Sequence, residues 1–93
     1  MKYDTKESGK RIQRLREKTG LTQEQAAEQL NITLSAYGKI ENGMRSVSIT
    51  VLVLLSEFYN VSTDYILFGR DTAEIQKRIR VILEQVHELE SMI

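Results

Sequence analysis

Apolar residues recur along the chain at helical spacing, and polar residues or glycine break the recurrence at short intervals. Ile12 and Leu15 mark one stripe, Ala26, Ala27 and Leu30 a second, and Tyr37 and Ile40 a third. Val51, Leu52, Leu55 and Phe58 give a fourth, and Tyr65, Ile66 and Phe68 a short fifth. Residues three and four apart share one face of a helix, so each stripe predicts a helix with one side turned inward. Capping residues set the bounds. Asp4-x-x-Glu7 opens the first helix near Asp4 or Thr5, and Thr19-Gly20 ends it with glycine as a left-handed stop. Thr22-x-x-Gln25 is a second capping box, starting a helix at about Gln23 that Asn31 ends, because asparagine tolerates the left-handed conformation. Thr33 caps a third helix from Leu34 to about Glu41, closed by Asn42-Gly43. Ser48 caps a fourth from Ile49 to about Tyr59, stopped by Asn60, and Ser62 and Asp64 suit the first turn of a fifth, Thr63 to Phe68.

Asp71-x-x-Glu74 opens a last element that runs to Ile93 without glycine or proline. Its apolar residues, Ile75, Ile79, Ile82, Val86, Leu89 and Ile93, are separated by steps of four, three, four, three and four, the heptad rule for a seam between helices. Val81 and Leu83 widen the stripe. At 1.5 Å per residue such a helix is about 33 Å long, too long to be covered by the five helices before it. Its apolar ridge needs a partner: a second copy of itself, its own globular part, or another protein.

The stretch Leu21 to Gly43 reads as a helix-turn-helix. Ala26 and Ala27 let another helix backbone come close, and Ile32 tucks an apolar side chain into the corner. The second helix of the pair turns Tyr37 and Ile40 inward, which leaves Leu34, Ser35, Gly38 and Lys39 facing out.

The ordered set GKRIQRL, LTQEQAAEQL, KIENG and VLVLLSEFYNVSTDYIL, from Gly9 to near Gly69, resembles the phage-repressor and Cro family of helix-turn-helix domains, also called xenobiotic-response-element regulators. The resemblance implies an all-α fold, a five-helix lambda-repressor-like domain over residues 1–69, with residues 70–93 as a C-terminal amphipathic helix for dimerisation or partner binding. It implies base reading by Leu34, Ser35, Gly38 and Lys39. Serine bonds donors or acceptors, lysine bonds guanine acceptors, leucine packs on a thymine methyl, and glycine permits close approach. Gln23, Asn42, Arg45, Ser46 and Arg16 are the implied phosphate contacts, and Arg16 with Glu41 the implied structural ion pair. Two positions depart from the family pattern. Asn31 stands where glycine is usual, which keeps the backbone option, and Val47 stands where proline is usual, which predicts a less rigid loop.

Composition narrows the remaining classes. Ninety-three residues, 41% of them hydrophobic, make one small core. With no cysteine and no proline, neither disulfides nor thiolate metal sites are possible, which fits a reducing cytoplasm. The longest apolar run, Val51 to Leu55, is too short for a bilayer, and the first residues form no signal peptide, so no membrane association is expected. Net charge is zero, yet residues 1–20 carry seven basic side chains against three acidic ones. That basic first helix is compatible with docking on phosphates but also with an ordinary solvated helix. The single histidine, His87, has no catalytic or metal-ligating company, and no glycine-rich phosphate loop occurs, so catalysis is rejected and no cofactor or metal is expected. The expected function is a sequence-specific double-stranded DNA-binding transcriptional regulator, a repressor acting as a homodimer on an inverted repeat. The alternative is an antitoxin-like or antagonist-controlled interaction module whose last helix captures a different protein.

Overall fold

The computed structural model describes residues 2–70 and 72–92, and of residues 72–75 the backbone only. Every element among them is an α-helix: α1 (Thr5–Thr19), α2 (Gln23–Leu30), α3 (Leu34–Glu41), α4 (Ile49–Tyr59), α5 (Thr63–Phe68) and α6 (Thr72–Ser91). The capping expectation at Asp71 and the interface expectations at Ile75 and Ile93 lie outside the described residues.

Local chemistry accounts for these bounds. Thr22 Oγ1 accepts from Gln25 N–H at 3.1 Å, while Gln25 Oε1 accepts from Thr22 N–H at 2.9 Å. Two orphan donors of α2 are thereby satisfied reciprocally. At α1 the Asp4 carboxylate caps alone, accepting from Lys6 and Glu7 N–H, and the Glu7 side chain turns to Lys10 Nζ at 3.4 Å. Thr33, Ser48 and Ser62 each accept the N–H three residues on. Asn31 and Asn60 hold φ of 57° and 53°, and Gly20 and Gly69 are also left-handed. After α3 the left-handed residue is Gly43 rather than Asn42, and the Met44 N–H reaches back to the Lys39 carbonyl at 2.9 Å.

The first five helices enclose one core of Ile12, Ala26, Ala27, Leu30, Tyr37, Ile40, Leu55, Tyr59 and Ile66. Leu15, Val51, Leu52 and Phe58, expected inside, are half-buried and pack against its edge. Of the four apolar residues of α5 only Ile66 is fully enclosed; Tyr65, Leu67 and Phe68 are half-buried because a six-residue helix turns one side inward. The core residue missing from the sequence pattern is Tyr59, at the end of α4, which the pattern used only as the bound of the helix.

α1 is the element against which α3 and α5 are set. Ser8 Oγ donates to the Ile66 carbonyl at 2.7 Å, and Arg11 donates from Nε to the same oxygen at 3.1 Å and from its terminal nitrogen to the Leu67 carbonyl at 3.0 Å. The last carbonyls of α5 thus gain donors from α1, one of them charged. On the α3 side, Thr5 Oγ1 donates to the Gly43 carbonyl at 3.0 Å. α6 is different. The described side chains from residue 76 to 92 are all exposed, and the whole molecule measures 63 × 27 × 20 Å.

Candidate nucleic-acid interface

α3 carries its inward residues, Tyr37, Ile40 and Glu41, on one side. Tyr37 is fully buried, and its hydroxyl shares a 2.7 Å hydrogen bond with that of Tyr59 and another with the Glu41 carboxylate. Burial, together with these bonds, pushes the Tyr37 hydroxyl far above its usual range. Glu41 is the buried anion of the molecule's head, with 4% of its surface exposed. Burial alone would raise its pKa. Hydrogen bonds from Arg16, Gln23 and Tyr37 outweigh that penalty and hold the carboxyl below the usual range.

Arg16 and Glu41 are paired in the bidentate fork that suits guanidinium and carboxylate, Nε to Oε2 at 2.7 Å and a terminal nitrogen to Oε1 at 3.1 Å. The other terminal nitrogen donates to the Leu21 carbonyl at 2.9 Å. A guanidinium held at three nitrogens, with 13% of its side chain exposed, orients the corner from within. It is poorly placed for the phosphate contact implied for it, which is set aside on that ground. Gln23 Nε2 donates to Glu41 Oε1 at 3.0 Å, so the first residue of α2 is tied to the last residue of α3.

The outward side of α3 holds Leu34, Ser35 and Lys39 exposed, with Gly38 half-buried between them. Leu34 is 49% exposed. A Cβ added to Gly38 would lie 3.7 Å from Gln23 Oε1, so Gln23 lies alongside this face. Asn42, Arg45 and Ser46 follow it, all exposed. The loop they begin is fastened where proline was missing: the Val47 N–H donates to Tyr3 Oη at 3.3 Å. A proline ring there would remove that donor. The expectation of a looser loop therefore meets a fastening that the residue pattern did not reveal.

A helix-turn-helix family model matches residues 12–66, more than half of the chain. This protein belongs to the helix-turn-helix family of the Cro and phage-repressor type. It is 38% identical over 80 residues to the HTH-type transcriptional regulator ImmR of Bacillus subtilis, an alignment that covers 86% of this chain and 62% of ImmR. It is 38% identical over 63 residues to the HTH-type transcriptional regulator PrpR of Mycobacterium tuberculosis, covering 68% of this chain and 13% of PrpR. The chain thus spans less than two thirds of either relative. Among solved structures it is similar to the restriction-modification controller protein C.AhdI from Aeromonas hydrophila, with a TM-score of 0.64 and 28% identity over 69% of this chain and 97% of that one. The matched residues include all of α3, between the corner at Asn31 and the close at Gly43.

Periodicity turns Tyr37 inward but does not disclose that its hydroxyl meets that of Tyr59, nor that Gln23 bonds Glu41, nor that Tyr3 accepts from the Val47 N–H. The signal for Tyr37 and Tyr59 lay in side chains with a polar tip on an apolar body, which must find a partner wherever they are buried. Among the described residues no helix is long and apolar enough to cross a membrane.

Proposed function

We propose that this helix-turn-helix protein is a sequence-specific double-stranded DNA-binding transcriptional regulator, a repressor that acts in the cytoplasm as a homodimer on an inverted repeat. The observation that carries the reading is the two-sidedness of α3. One side is locked to α1, α2 and α4 through Glu41, Tyr37 and Ile40, and the other offers Leu34, Ser35 and Lys39 to solvent. A major groove admits one α-helix and presents a distinct donor and acceptor pattern for each base pair, so a helix held this rigidly can discriminate sequence.

In this reading Leu34, Ser35, Gly38 and Lys39 meet base edges, while Gln23, Asn42, Arg45 and Ser46 hold phosphates and set the register. Residues 1–69 form the DNA-binding unit and residues 70–93 the association unit. Two copies place their α3 helices in successive major grooves, about 34 Å apart. The apolar stripe of α6 also suits capture of a different protein, the antitoxin-like or antagonist-controlled alternative.

Selection of bound fragments from random duplex DNA tests the proposal. Recovery of an inverted repeat, with a preference that shifts when Ser35 or Lys39 becomes alanine, is the expected result. No enrichment, or enrichment that ignores both substitutions, overturns it. Sedimentation of the purified chain separates the association readings: a homodimer supports the first, and a monomer that associates only with a second protein supports the alternative.

A further inference from the structure

The exposed stripe of α6 carries information about the direction of its partner. Ile79, Ile82, Val86 and Leu89 are each more than two fifths exposed, and Leu83, outside the strict seam, is 62% exposed. Between residues 76 and 92 charge is divided along the same helix. Lys77, Arg78 and Arg80 lie in its first half, and Glu84, Glu88 and Glu90 in its second. On a helix with Ile79 and Val86 at one seam position and Ile82 and Leu89 at the other, Arg78 and Glu88 flank the seam on one side. Arg80, Leu83 and Glu90 flank it on the opposite side.

Resting on the homodimer reading above, we infer that α6 pairs antiparallel with α6 of a second copy of this chain. In that register Ile79 stacks on the partner's Leu89, and Ile82 on the partner's Val86. Flanks of the same kind face each other in an antiparallel pair. Arg80 then comes within about one turn of the partner's Glu90, and Arg78 within about one turn of the partner's Glu88. Each pairing occurs twice by symmetry. Leu83 meets the partner's Leu83 near the twofold axis, which gives its apolar surface a cover. A parallel pair reverses all of this. It sets Arg78 beside the partner's Arg80, Glu88 beside the partner's Glu90, and Leu83 against an arginine. Opposed helix dipoles favour the antiparallel arrangement as well. The two DNA-binding heads are thereby carried at opposite ends of the helix pair.

The chain has no cysteine, so introduced thiols report the direction directly. Ile79→Cys and Leu89→Cys are made separately in the full chain, each at an exposed site away from the core, and oxidised mildly alone and as an equal mixture. Antiparallel pairing places each thiol about 15 Å from its own copy, beyond disulfide reach. The expected result is cross-linked dimer in the mixture, joining one variant to the other, and none in either variant alone. Self-linked dimer of either variant overturns the inference, and so does a dimer that cross-links in no combination, as association through the exposed Ile49, Val53 and Leu54 of α4 would give. Charge reversal gives a second readout. Arg80→Glu weakens the antiparallel dimer by about threefold to tenfold, and adding Glu90→Arg restores it. In a parallel pair the single substitution would strengthen association. A chain that is monomeric by sedimentation fails the homodimer reading itself, while a homodimer that self-links fails only the direction inferred here.

Discussion

Gly9 of α1 lies against the last carbonyls of α3, so that a Cβ at this position would overlap the Glu41 oxygen and stand 2.7 Å from that of Ile40. Sequence alone marks Gly9 as a weak point in a helix, less favourable than alanine by about 1 kcal/mol. Packing reverses that judgement. Gly9→Ala is expected to destabilise the fold by about 1–3 kcal/mol, since the added methyl meets backbone that has nowhere to move. The shift in denaturant midpoint measures it, and an unchanged or raised midpoint contradicts the close approach.

Gly38 is the opposite case. It sits mid-helix with only Gln23 Oε1 near, at ordinary contact distance, and its φ is not left-handed. Gly38→Ala is expected to stabilise the protein by about 0.5–1 kcal/mol through lowered chain entropy in the unfolded state. DNA affinity is expected to fall in the same variant, because the new methyl stands on the reading face. A stabilised variant with unaltered binding would remove Gly38 from that face.

Removing one partner of the Arg16–Glu41 pair leaves a buried charge without its counter-ion. Arg16→Ala is expected to lose about 3–5 kcal/mol of stability and to weaken DNA binding, because Glu41 also holds α2 through Gln23. The double variant Arg16→Ala with Glu41→Ala should lose less than the two single losses added together. Additive losses in thermal or denaturant unfolding would mean that the two side chains act independently.

The same network contributes to the pH dependence of the fold. Glu41 has a folded-state pKa below its ordinary value of 4.5, so its contribution is present above that value and is lost as pH falls through the folded pKa. Tyr37 is shifted upward from 10.0, so its contribution is full below pH 10 and declines above it, where the unfolded chain ionises and the folded one does not. Unfolding free energy against pH is expected to fall at both ends, and Glu41→Gln should flatten the acid limb. An acid limb of the same steepness in that variant would assign the loss to other carboxylates.

Phosphate and base contacts are separable by salt. Arg45→Ala is expected to lower the slope of log affinity against log salt by about 1 while keeping the preferred sequence. Lys39→Ala should change the preferred sequence itself. Affinity that stays flat from low to moderate salt in the parent protein would argue against phosphate docking by this face.

The helices, their caps and the left-handed corner at Asn31 were legible in the sequence because each depends on residues within about four positions of one another. The same holds for the division of α3 into an inward and an outward side and for the heptad steps of α6. The Arg16–Glu41 pair was implied by the family resemblance and by no local pattern, and what tertiary structure alone decided are other meetings of residues far apart in the chain: Gln23 on Glu41, Tyr37 on Tyr59, Gly9 against the end of α3, and Tyr3 beneath Val47. Periodicity reports which face a helix buries, but a buried carboxylate, hydroxyl or missing Cβ takes its meaning from the atoms that another helix brings to it. That is why Gly9 reads as a defect in the chain and as a requirement in the fold.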